Sequence, residues 1–312
     1  MSSFHLDDNF DLTRKTQALG LRAKLIQNIR LFFIQHNFLE VETPLRIPAP
    51  APEEHIEAIT SGDCFLQTSP ELCMKRLLAA GYPRIFQISK CFRAAERGSR
   101  HLPEFTMLEW YVAQFDYSQL MDQCETMLIA LLKIMGHDQD IIWQSRKISL
   151  TSPWGRITVA DAFSQYAKVS LQEAMHQDKF DEIMVEYIEP RLGTDRPTFI
   201  YDYPAKLAAL AKIKKSDPNV AERFELYIGG LELANGFSEL TDAREQRHRF
   251  EEASEARAAK NWARYPLPEK FLTALEHLPP CAGIALGIDR LAMILANTDK
   301  IDDVVAFPPE TL

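Results

Sequence analysis

Residues 84–111 read RIFQISKCFRAAERGSRHLPEFTMLEWY. Two strand-like runs, 84–93 and 105–114, flank a loop dense in Arg, Glu, Ser and His, the pattern of a hairpin with a charged tip. Successive strand side chains alternate faces, so Gln87, Ser89, Cys91 and Arg93 share one side, and Phe86, Ile88 and Phe92 the other. On the return run Phe105, Met107, Glu109 and Tyr111 lie together, opposite Thr106, Leu108, Trp110 and Val112. This pattern fits an amphipathic hairpin with one wet face as well as it fits a site, and other parts of the chain must separate the two.

The 312 residues are 46% hydrophobic and 25% charged, enough for a sizeable core in one or two domains. No apolar run has the length of a membrane-crossing helix, and the opening MSSFHLDDNFD is acidic where an export signal is basic, so a cytoplasmic protein is expected. Cys64, Cys73, Cys91, Cys124 and Cys281 are odd in number and lack CxxC spacing, and the eight histidines form no HxxxH pair. Free thiols and no protein-held zinc follow. The net charge of -9, without a basic block, argues against a nucleic-acid partner.

A first helix is expected from a cap at Asp11 or Thr13 through about His36, with Leu21, Leu25, Ile26, Ile29 and Phe33 on one side. Pro44, Pro48, Pro50 and Pro52 then enforce an extended crossing segment. Cys64–Thr68 reads as a strand, and Ser69-Pro70-Glu71 opens a helix ending at Gly81, where the helix dipole alone accounts for Glu71. Helices over 118–136, from Thr158 or Asp161 to Ala167, and over 170–188, with a strand over 198–203, make 116–220 a helical insertion within one domain of residues 12–312, after a tail of residues 1–11. In RFELYIGGLELANGFSEL, residues 223–240, Gly229, Gly230 and Gly236 point to bulges or close backbone approach. Glu225, Glu232 and Glu239 cannot share one face of an unbroken strand. A charged helix follows over 242–259. The strand CAGIALG, 281–287, turns at Gly287 into a helix whose first turn holds Asp289 and Arg290, a place that attracts anions.

Three stretches, FLEVETPL at 38–45, FR at 92–93 with the loop to Phe105, and GIALGIDR at 283–290, resemble in order the three motifs of the class II aminoacyl-tRNA synthetases. The resemblance runs from about residue 12 to the end of the chain. TSPELCMKRLL, RHLPEFTMLEWY and ELANGFSELTDA resemble the substrate-pocket segments of the lysyl branch. That branch carries an anticodon-binding domain ahead of its core, and a core starting near residue 12 leaves no room for one. A lysyl-type core without that domain is similar to the family of ligases that join (R)-β-lysine to a lysine side chain of elongation factor P. The third motif normally has glycine where this chain has Ala285. The resemblance makes that alanine typical of the ligases, narrowing the pocket floor against an α-amino group, a shape difference worth about 1 to 3 kcal/mol.

The resemblance implies an α+β fold, an antiparallel sheet flanked by helices, and a homodimer formed through the first motif, with no stable tRNA binding and no membrane. It implies attack of the amino-acid carboxylate on the α-phosphate of ATP, with Mg2+ bridging the phosphates, and then transfer from the adenylate to elongation factor P. Arg93, Arg290 and Glu239 would be catalytic. Arg93 would hold the α-phosphate and the carboxylate, and Arg290 the distal phosphates and one adenine face. Phe105 would stack on the other face, near His101 and Leu102. Glu232 and Glu239 would hold metal, nucleotide and substrate, and the backbone at Leu233 and Gly287 would complete the nucleotide site. Glu71, Glu109 and Tyr111 would meet the distant ammonium, Ser69, Pro70 and Asn235 would assist, and Ala285 would lie beneath. The lysyl pattern has an acid where this chain has Ala95, so Glu96 is assigned its contact with ATP. Two alternatives stand beside this reading. The missing front domain, the acidic balance and Ala285 weigh against a tRNA-dependent lysyl enzyme or a fragment of one. Retention of Arg93, Arg290, Glu232 and Glu239 weighs against an inactive regulatory module.

Overall fold

The hairpin lies inside an eight-stranded sheet in the computed structural model, which describes residues 12–312. In chain order the strands are β1 (Leu39–Glu40), β2 (Arg84–Phe92), β3 (Glu104–Ala113), β4 (Gly155–Thr158), β5 (Thr198–Pro204), β6 (Val220–Ile228), β7 (Leu231–Ser238) and β8 (Cys281–Gly287). Across the sheet they run β1-β2-β3-β8-β7-β6-β5-β4. Neighbours from β2 to β5 are antiparallel, and β1 and β4 add a parallel strand at each edge. The helices are α1 (Thr16–Gln35), α2 (Glu71–Ala79), α3 (Tyr117–Ile134), α4 (Ala243–Ala259), α5 (Glu269–Leu275) and α6 (Ile288–Ala296), with shorter ones between 159 and 191. The α+β class with a helix-flanked sheet is as expected.

Alternation sorts the hairpin as its sequence predicts. Phe86, Leu108, Trp110 and Val112 enter the main core with Leu25, Ile29 and Phe33 of α1, where the Phe33 and Phe86 rings stack at 4.7 Å. On the other face Ile85 and Tyr111 pack under Leu72 and Leu78 of α2 and Phe271 of α5. That second face is not wet: α2 covers part of it, and Gln87 and Glu109 are buried.

Helix α1 starts after Lys15, where no side chain caps it. Thr13 sits in a preceding helical turn, and Asp11 lies outside the described residues. Helix α2 opens one residue later than expected: Pro70 is the N-cap residue and has no side-chain capping bond, and Glu71 is first in the helix, its N–H donating to Ser69 Oγ at 3.0 Å. The stretch 116–220 is less helical than expected. Helix α3, opened by an Asp116 capping box, belongs to the main core, and β4 and β5 extend the main sheet. A separate helical layer with its own apolar cluster forms between Val159 and Leu192.

Two of the three glutamates that no single strand could align, Glu225 and Glu232, are brought to one face by two departures from regularity. Gly229 and Gly230, at φ +60° and +75°, turn the chain between Glu225 on β6 and Glu232 on β7. The register then slips between Leu226↔Ala234 and Tyr227↔Glu232, leaving Leu233 as a bulge. Leu233 and Ala234 both enter the core, so Glu232 and Asn235 both reach the opposite face. Gly236 serves packing: a Cβ there would lie 2.6 Å from the Phe224 ring.

Asp289 does not wait for an anion. It accepts the Thr106 N–H at 2.6 Å and pairs with Arg22 at 2.8 Å, locking α6, β3 and α1 together while 2% exposed. Replacing it with Ala strands a buried N–H and leaves Arg22 unpaired, and should lower the unfolding free energy by about 3 kcal/mol. Urea unfolding followed by circular dichroism measures the loss, and Arg22→Met in the same background should recover part of it.

Candidate active site

Residues directly opposed on neighbouring strands share a face, and here they form a row across five strands. Glu225, Asn235, Ala285, Glu109 and Gln87 stand side by side on β6, β7, β8, β3 and β2. The next row on that face is Arg223, Phe237, Gly283, Tyr111 and Ile85. A Cβ at Gly283 would lie 2.1 Å from the Tyr111 ring and 2.5 Å from Glu239, so only glycine admits both side chains. Above the rows lies a cleft of about 770 Å³. Among the expected site residues, Pro70, Ala95 and Glu239 do not line it.

One end is acidic. Glu109 accepts from Ser69 Oγ at 2.6 Å and from the Tyr111 hydroxyl at 2.9 Å. Burial, reinforced by the Glu71 charge, pushes Glu109 up to about 8 against the pull of those hydrogen bonds. Beneath it lies a residue the sequence reading missed: Lys75, 1% exposed, is ion-paired to both Glu71 and Glu239 and lies 5.2 Å over the Phe237 ring. Burial alone would lower the Lys75 ammonium, but Glu239 and Glu71 outweigh it and hold it above the ordinary lysine range. Its one signal was the i,i+4 spacing from Glu71, which usually marks an exposed pair.

Glu239 stands at this acidic end. Expected beside Glu232 as a metal holder, it has Lys75, Glu71 and Glu109 as its close charges, and Lys75 pairs with its carboxylate. Glu232 keeps different company, beside Arg290 and near His101 and Glu189.

The other end is basic. Arg93 lies 5.1 Å over the Phe105 ring, its Nη1 3.7 Å from Glu96, and its buried Nε has no hydrogen-bond partner. Ala95 adopts φ +60°, and Glu96 is the acid beside Arg93. Arg290 donates to the Glu232 carbonyl at 2.9 Å and carboxylate at 3.1 Å, and meets His101 Nε2 at 2.5 Å. Burial, then the Arg290 charge, lowers His101 below its ordinary value. Leu102 is mostly packed in the core. Among the described residues no three His, Cys, Asp or Glu side chains converge as a metal-ligand set, so Glu232 fits a cation only in company with phosphate oxygens.

The raised carboxyl of Glu109 makes stability depend on pH. The folded chain keeps a proton that the unfolded chain has lost between its ordinary value and about 8, so stability without ligand falls as pH rises through that interval. Glu109→Gln should raise Tm at pH 8 by about 2 to 4 °C, for roughly 1 kcal/mol, and the gain should shrink towards pH 5. Thermal melts at both pH values check it.

A sequence model of the tRNA synthetases class II (D, K and N) matches residues 9–311. The chain is 40% identical over 305 residues to the elongation factor P--(R)-beta-lysine ligase of Hamiltonella defensa, covering 93% of this chain and 94% of that one. It is 40% identical over 303 residues to the ligase of that name from Proteus mirabilis, covering 92% and 93%. The Vibrio vulnificus ligase is 40% identical over 313 residues, covering 95% and 97%. With its second and third motifs at one cleft and relatives spanning nearly its whole length, the chain belongs to the class II tRNA synthetase family, among the elongation factor P--(R)-beta-lysine ligases.

Proposed function

We propose that this protein activates (R)-β-lysine with ATP as an adenylate and transfers it, as an amide, to a lysine side chain of elongation factor P. The observation that carries the reading is the place of Ala285, directly between Glu109 and Asn235 in the floor row of a cleft that is acidic at one end and basic at the other. A methyl group there takes up the depth that an α-amino group would use, while a β-amino group, one carbon further along, can clear it.

Arg93 is placed to hold the substrate carboxylate beside the α-phosphate, and its unpartnered Nε supplies a donor for an anion. Phe105, under Arg93, and His101, against Arg290, form the adenine side, with Arg290 also reaching the distal phosphates. Glu109, with Ser69 and Tyr111, receives the distant ammonium, and Asn235, whose buried Oδ1 has no hydrogen-bond partner, accepts from a substrate amino group. Mg2+, held by phosphate oxygens with Glu232, would neutralise charge on the departing pyrophosphate. The residues of this chain contribute mainly positioning and charge complementarity.

A homodimer belongs to the same proposal. Leu31, Ile34, Leu39 and Leu45 are between 42% and 56% exposed on α1, β1 and the first motif, an apolar group suited to a second copy. The net charge of -9 supports a protein rather than a tRNA acceptor, and no helix among the described residues is long and apolar enough to cross a membrane. The cytoplasm, with elongation factor P, is the proposed place of work.

ATP–pyrophosphate exchange with (R)-β-lysine and α-lysine, followed by transfer to elongation factor P or tRNA, tests the reading. Exchange should favour (R)-β-lysine, and elongation factor P should be the acceptor. Exchange favouring α-lysine with charging of tRNA would overturn it. Ala285→Gly should raise kcat/KM for α-lysine relative to (R)-β-lysine by about tenfold; an unchanged ratio would remove the argument from shape.

A further inference from the structure

Residues Pro52, Glu53, Glu54, His55 and Ile56 line the cleft although they belong to neither a helix nor a strand. An irregular segment is normally loose, but this one is held from several sides. Arg257 of α4, fully buried, donates from Nη1 to the carbonyls of Glu53 at 2.9 Å and Ile56 at 2.7 Å. Its guanidinium lies 4.1 Å over the Tyr265 ring, and the Tyr265 hydroxyl accepts the Ala58 N–H at 2.8 Å. The Ala94 N–H donates to the Glu57 carbonyl at 2.7 Å, fastening the segment beside Arg93.

The Glu53 carboxylate is thereby held at the cleft, and among the described residues no side chain hydrogen-bonds or ion-pairs with it. The charges that act on it are Glu71, Arg93, Arg223 and Lys75. It therefore stands where the acidic and basic ends of the cleft meet. We propose that Glu53 is the counter-ion for the substrate ammonium group nearest the substrate carboxylate, and so selects an amino acid with two amino groups. The inference rests on the function proposed above.

The argument is one of distance and charge. With its carboxylate at Arg93, an amino acid carries its first ammonium only one or two carbons away, too close to Arg93 to reach Glu109. Lys75 already neutralises much of the charge of Glu71 and Glu239, and Glu109 serves the distant ammonium. A carboxylate beside Arg93 with no partner of its own is what the first ammonium lacks. Burial, then the Glu71 charge, raises Glu53 to about 7, while Arg93, Arg223 and Lys75 pull it down. An arriving cation restores the lost solvation and brings it back towards ionisation.

The test compares (R)-β-lysine with 6-aminohexanoate, which keeps the carboxylate and the distant ammonium but lacks the near one. Pyrophosphate exchange gives KM for the first, and inhibition of that exchange gives Ki for the second. Glu53→Gln should raise KM for (R)-β-lysine about 10- to 100-fold and leave both Ki for 6-aminohexanoate and KM for ATP within about twofold. In the wild type KM for (R)-β-lysine should fall as pH rises through about 7, as Glu53 ionises, and the variant should lose that part of the dependence and keep the part near 8 that belongs to Glu109. Equal weakening of both ligands, or of neither, would overturn the role of Glu53 while leaving the proposed function intact. A wild type that exchanges with no lysine at all would overturn both.

Discussion

Burying a carboxylate without a counter-charge is costly, and this cleft buries Glu109 and Glu239 with Glu71 partly covered above them. Lys75 makes that possible. Its ammonium bridges Glu71 on α2 and Glu239 just beyond β7, so α2 must dock against the sheet face at one height and one angle. The docking carries Ser69 to Glu109, and Gly283 leaves the gap in which Tyr111 can also reach it. Three acids and one lysine make a pocket that becomes net negative when its raised acids ionise, matched to cations that arrive with the substrate. The same interaction therefore explains the packing of α2 and the charge of the site.

The basic end is assembled differently, from loop residues steadied by strands. Arg93 and Phe105 sit on either side of the hairpin tip, next to β2 and in β3, so the tip places guanidinium over ring without a helix. Arg290 comes from the first turn of α6, and the orientation of that turn is set by Asp289 through Thr106 and Arg22. Stability and chemistry meet at neighbouring residues: Asp289 locks the elements together, and Arg290 faces the cleft.

What could be read from the sequence was what local periodicity controls. Two-residue alternation correctly separated Phe86, Leu108 and Trp110 from Gln87 and Glu109, because strand geometry fixes that pattern whatever surrounds it. The CAGIALG strand running into a helix was legible for the same reason. Covering was not legible: nothing local shows that α2 will close over the polar face. Lys75 was not singled out, because its burial depends on Glu239, 164 residues further along the chain. The alignment of Glu225, Glu232 and Asn235 needed a bulge at Leu233, which strict alternation cannot predict. Within 116–220 the strand at 198–203 was legible, but β4 was missed because it is only Gly155–Thr158 and pairs with β5, well separated from it along the chain.

The account rests on carboxyl groups whose burial keeps them reluctant to ionise until a cationic substrate reaches them. Titration calorimetry of (R)-β-lysine at pH 7, repeated in buffers of differing ionisation enthalpy, measures the protons exchanged on binding. With Glu109 raised to about 8 and Glu53 to about 7, the account predicts release of roughly 1.4 protons per ligand bound when both ionise. Binding with no proton released would contradict it.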